Sequence, residues 1–102
     1  MLVNRVQVFL QIGKSVEIAR KLRRYTQTEL GERAEISRQM VAAIEAGKPS
    51  KHLVDVIWAL GLEDKLVQAL SPQNDEFGLG LAVNNLPRHV KGKQRRDDSD
   101  EF

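Results

Sequence analysis

The stretch Tyr25 to Gly47, YTQTELGERAEISRQMVAAIEAG, limits what this chain can become more than any other. Thr26 is followed three residues later by Glu29, the spacing at which a hydroxyl and a carboxylate reciprocally cap a helix start. Leu30 and Ala34 then recur at helical spacing, and Ala34-Glu35-Ile36 closes that helix. Ser37 is the next candidate N-cap. Ile36 before it and Val41 within the helix have the spacing of a hydrophobic staple, which sets the direction in which the chain enters. Gly47 supplies the left-handed stop. The segment therefore predicts two short helices joined by a tight turn, with basic flanks.

Two such helices at an angle form a helix-turn-helix unit. The residues Thr26-Gln27, Glu29-Leu30, Ser37-Arg38, Val41 and Ile44-Glu45-Ala46-Gly47 make it specific. The segment resembles the Cro and phage-repressor helix-turn-helix, the XRE family, from about Ile12-Gly13 to Leu70. The resemblance implies an all-α, five-helix, lambda-repressor-like domain over residues 1–71, followed by an extended, flexible C-terminal tail over 72–102. Two positions depart from the family pattern. Gly31 stands where alanine is usual, and Glu35 stands where the turn carries glycine. A non-glycine residue in the left-handed region costs on the order of 1 kcal/mol, so a rebuilt turn is one expectation.

Composition narrows the function classes. A chain of 102 residues allows one domain with appendages. It has no cysteine, which removes disulfides, thiolate metal sites and cysteine nucleophiles together. No run of apolar residues is long enough for a membrane span, and the reading is of a soluble, cytoplasmic protein. No catalytic arrangement of carboxylates or of Ser, His and Asp can be assembled. His52 and His89 have no nearby ligand spacing, so neither enzyme chemistry, a metal nor a cofactor is expected. Residues 1–51 hold ten Lys/Arg against five Asp/Glu. That surplus around the motif suits a polyanion, because each neutralised phosphate releases counterions.

Outside the motif the signals vary. In residues 1–12, alternation of Val6, Val8, Leu10 and Ile12 suits a strand, while Val3, Val6 and Leu10 suit a helix; the reading leans to a first helix. Gly13 is expected to bend that helix or to precede its start. Val16, Ala19 and Leu22 form an inner stripe, with Arg20 near it. Ser50 is a new N-cap. Leu53, Val56, Ile57 and Leu60 give the next helix one apolar face, and Val54, Trp58 and Leu62 give it a second. A helix apolar on two faces is buried on two sides. The second side, with Leu66, is either a dimer interface or, through Trp58, completion of the monomer core. Glu63 to Leu70 forms a fifth helix with Leu66 and Leu70 inward. Beyond Pro72 come an apolar patch, Phe77 to Val83, a basic run, Arg88 to Arg96, and an acidic end.

As a recognition helix, Ser37–Ala46 would present Ser37, Arg38, Gln39, Ala42 and Ala43 to base edges. Arginine bonds guanine O6 and N7, and glutamine bonds adenine N6 and N7. Phosphate contacts are expected from Thr26, Gln27, Lys48, Arg23, Arg24 and Lys51. Gln27 resembles the family's phosphate-binding glutamine at a helix start. The resemblance also implies that Arg20 forms a structural ion pair with Glu45, with a phosphate as the rival partner for Arg20. The implied function is a sequence-specific repressor that binds a palindromic operator in double-stranded DNA as a homodimer. The segment ALGLEDKLVQALSP with its patch and tail also resembles HipB-type antitoxins, which implies a kinase-like toxin as a further partner. The alternatives are a stand-alone phage-type or controller regulator, and an interaction adaptor without specific DNA binding.

Overall fold

A computed structural model describes residues 4–82. The chain divides between Val67 and Gln68 into two units. The first unit begins with helix α1, Arg5–Leu22, capped by Asn4, whose side chain accepts from the Gln7 N–H at 2.9 Å. The helix follows as α2 (Gln27–Ala34), α3 (Arg38–Glu45), α4 (Leu53–Ala59) and α5 (Glu63–Ala69), the last running across the division. Among the described residues there is no strand. The all-α, lambda-repressor-like expectation holds.

The N-terminal ambiguity resolves to helix, and α1 runs straight through Gly13. The physical reason lies across the core. A Cβ on Gly13 would collide with the Ile44 carbonyl oxygen and sit 2.7 Å from that of Glu45. Gly13 is there because the end of α3 presses its backbone against α1, not because α1 bends.

The core is small and aliphatic: Val16 and Ala19 from α1, Leu30 and Ala34 from α2, Val41 and Ile44 from α3, Val56 and Leu60 from α4 and its end. Two residues expected inside are not. Leu22 is 76% exposed and Leu70 75% exposed. Leu22 falls in the last turn of α1, where Arg20 takes the inward place; Leu70 lies just past the end of α5. Ser50 also does less than expected. Its hydroxyl accepts from the His52 N–H at 3.0 Å, and α4 begins only at Leu53 after a turn.

Four helices end by one device, the Schellman motif, in which crossed hydrogen bonds close the last turn around a left-handed residue. Gly47 and Gly61 hold that place after α3 and α4, at φ 91° and 76°. Arg24 and Glu35 hold it after α1 and α2, at φ 60° and 62°. At Glu35 the Ile36 N–H reaches the Gly31 carbonyl at 2.8 Å and the Glu35 N–H reaches that of Glu32 at 3.3 Å. The turn is therefore not rebuilt: it keeps the left-handed geometry with a glutamate in it. Gly31, the other departure, lies on the same turn. A Cβ there would come within 2.7 Å of the Ile36 carbonyl oxygen.

In the second unit, the part of the expected extended tail that is described is helical. Pro72–Asn74 forms a 3-10 turn, and α6 spans Glu76–Ala82. Asp75 accounts for the start of α6, since its carboxylate accepts from the Gly78 N–H at 2.9 Å. Phe77 and Leu81 on this helix are exposed. Val83, the basic run Arg88 to Arg96 and the acidic end lie outside the described residues.

Candidate nucleic-acid interface

The site is built on α2 and α3. The capping box of α2 is formed in both directions: Thr26 accepts from the Glu29 N–H at 3.0 Å, and the Glu29 carboxylate accepts from the Thr26 N–H at 2.8 Å. Ser37 caps α3 by accepting from the Met40 N–H at 3.1 Å. Val41 and Ile44 then point into the core, which forces the opposite side of α3 outward. Ser37, Arg38 and Gln39 are exposed on its first turn, while Ala42 and Ala43 are half-buried further along. Met40 is exposed on the same turn and was not among the predicted readers. Sequence spacing gave little signal for it, since residue 40 lies one turn before the inward Ile44, on the flank of the buried face.

A buried ion pair fixes the far end of α3. Arg20 donates through Nε to Glu45 Oε2 at 2.6 Å and through Nη2 to Oε1 at 3.1 Å. Its remaining nitrogen, Nη1, donates to the Tyr25 carbonyl at 2.9 Å, so every side-chain nitrogen of Arg20 has a partner inside the fold. The two side chains are 10% and 6% exposed. The hydrogen bond to Glu45 raises the guanidinium above its ordinary pKa, with desolvation opposing it. Such a pair adds little net stability but is destructive to break, since the survivor is a buried, uncompensated charge.

The pair continues outward. Gln27 Nε2 donates to Glu45 Oε1 at 3.0 Å, and Arg38 Nη1 donates to Gln27 Oε1 at 3.1 Å. The fold thus brings together Gln27, Glu45 and Arg38, which lie far apart in sequence. Lys48 and Lys51 are exposed past the end of α3. Arg23 and Arg24 sit elsewhere, around a surface cleft that they line with Tyr25, Glu29, Glu32 and Arg33. There the Arg23 Nη1 donates to the Ala19 carbonyl at 2.8 Å, and the Arg33 guanidinium lies 4.3 Å from the centre of the Tyr25 ring. Two carboxylates share this cleft, so its net charge is small. His52 Nδ1 lies 3.2 Å from the Asp55 carboxylate.

Helix α4 carries an exposed apolar pair: Val54 is 61% and Trp58 62% exposed. Trp58 therefore does not complete the core of this chain. Leu62 and Leu66 are half-buried, and Leu62 packs against the core.

With that geometry in place, one comparison with known proteins agrees. A family model described as helix-turn-helix matches residues 16–56. Residues 16–56 are therefore similar to the helix-turn-helix family. No curated protein matches the chain. No described helix is long and apolar enough to cross a membrane.

Proposed function

We propose that this protein is a sequence-specific DNA-binding repressor that binds a two-fold-symmetric operator as a homodimer. The observation that carries the reading is the exposed first turn of α3, Ser37, Arg38, Gln39 and Met40, on a helix whose other end is tied by Arg20–Glu45. Inserted in a major groove, Arg38 would read guanine and Gln39 adenine. Met40, Ala42 and Ala43 offer apolar contact for thymine methyls. Thr26 and Gln27 at the start of α2, with Lys48 and Lys51 after α3, would hold phosphates, and Arg23 and Arg24 would add positive field at longer range.

So few base readers specify a short half-site, and a dimer doubles it. Val54, Trp58, Leu62 and Leu66 form the surface assigned to the second copy, because an exposed tryptophan beside an exposed valine is apolar area that association would remove from water. Residues 1–71 form the DNA-binding domain and 72–102 an appended segment. The antitoxin reading rests on a separate feature, the exposed Phe77 and Leu81 of α6, which would engage a kinase-like toxin.

Selection of bound sites from randomised double-stranded DNA tests the proposal. The expected outcome is an inverted repeat whose half-sites lie about one helical turn, roughly 10 base pairs, apart. Recovery of no enriched sequence would leave the adaptor alternative in its place. Capture of a kinase-like protein from the native host after nuclease treatment, lost on removal of residues 73–102, is the expected result for an antitoxin. Capture of DNA alone would leave the stand-alone regulator.

A further inference from the structure

The hydrogen-bond chain from Arg20 to Arg38 has a direction, and the Gln27 amide sets it. A carboxylate can only accept and a guanidinium can only donate. Gln27 lies between one of each, 3.0 Å from Glu45 Oε1 and 3.1 Å from Arg38 Nη1. Only one orientation of its amide satisfies both neighbours: the NH2 on Glu45 and the oxygen on Arg38. The reverse orientation would set oxygen against carboxylate and NH2 against guanidinium.

We infer that Glu45, a residue with no exposed reading surface of its own, is a positioning residue for Arg38, acting through the polarity of the Gln27 amide. The inference rests on the reading of Arg38 as a base contact. Glu45 is pinned by Arg20 from the other side, so its carboxylate cannot turn away. The Gln27 acceptor is consequently aimed at the first turn of α3. Arg38 gives that acceptor one N–H and keeps the others for the acceptor edge of guanine. A side chain at position 38 that only accepts would find no partner in Gln27. The buried pair thereby favours a donor at position 38, and through it a guanine in the half-site.

A purely structural Glu45, one that only ties α3 to α1, makes different predictions in a four-protein cycle: wild type, Gln27→Met, Glu45→Gln and the double variant. Gln27→Met keeps the length of the side chain and leaves Arg20–Glu45 in place, so it folds even if Glu45→Gln does not. In DNA-free protein, guanidinium NMR is expected to show restrained rotation for Arg38 in wild type and free rotation in Gln27→Met. In selected DNA, the guanine preference at the position lost in Arg38→Ala is expected to fall on the order of tenfold in Gln27→Met, the scale of one charge-assisted hydrogen bond. Glu45→Gln is expected to lower the same preference in the wild-type background and to lower it no further in the Gln27→Met background. Equal losses in both backgrounds, or an Arg38 equally free in every variant, would overturn the positioning role. An Arg38 restrained in solution whose replacement by alanine leaves the selected sites unchanged would instead overturn its base-reading role.

Discussion

Helices α3 and α4 are nearly the same length and pack on the same core, yet their outer faces have opposite chemistry. α3 turns Ser37, Arg38 and Gln39 outward; α4 turns out Val54 and Trp58. They are also held differently. α3 has a side-chain cap at one end, a buried ion pair at the other, and backbone contact with Gly13 of α1. α4 has no side-chain cap and, within its helical residues, buries only Val56. On the proposed function, the difference matches what each face would have to do. Hydrogen bonds to base edges are directional and demand a fixed helix, whereas apolar burial is non-directional and tolerates adjustment.

The comparison breaks first at its anchor. Arg20→Ala leaves Glu45 buried without a partner, and a loss of about 3–5 kcal/mol in urea unfolding is expected. Next is Gly13→Ala. Helix propensity alone favours alanine by roughly 1 kcal/mol, but the Ile44 and Glu45 carbonyls occupy the space. A net destabilisation of about 1–3 kcal/mol is therefore expected, with the end of α3 displaced. A stabilised variant would mean that α3 does not press on α1. Trp58→Ser is expected to leave folding nearly untouched while shifting sedimentation from dimer toward monomer. If instead it unfolds the protein, the apolar face of α4 is core rather than interface. The smallest effect is a gain. Glu35→Gly relieves a left-handed glutamate and adds on the order of 0.5–1 kcal/mol, less the entropy glycine returns to the unfolded chain.

Local chemistry made much of this readable in sequence. Thr26 with Glu29, Ser37 and Gly47 are signals complete within one turn, and each stands where expected. The polar side of α3 followed once Val41 and Ile44 were assigned inward. Most of the failures are non-local. Gly13 resembles a helix flaw until α3 is packed on it, and Leu22 fits the apolar stripe until Arg20 claims the inward place. One miss is local: the two glycines of α6 masked a helix whose start Asp75 supplies. Glu35 defied its propensity because the crossed hydrogen bonds around it outweigh the strain. The link from Gln27 to both Glu45 and Arg38 depends on side-chain reach between helices, which spacing along the chain does not encode.

The most direct test of the central claim, that the first turn of α3 reads DNA sequence, is the ratio of specific to non-specific affinity in wild type and Arg38→Ala at one fixed salt concentration. The account predicts that alanine lowers affinity for the selected site by about 1–3 kcal/mol per half-site, leaves stability within about 0.5 kcal/mol, and weakens non-specific binding far less. A uniform loss on both DNAs would make Arg38 a phosphate contact, and no loss on either would contradict the claim.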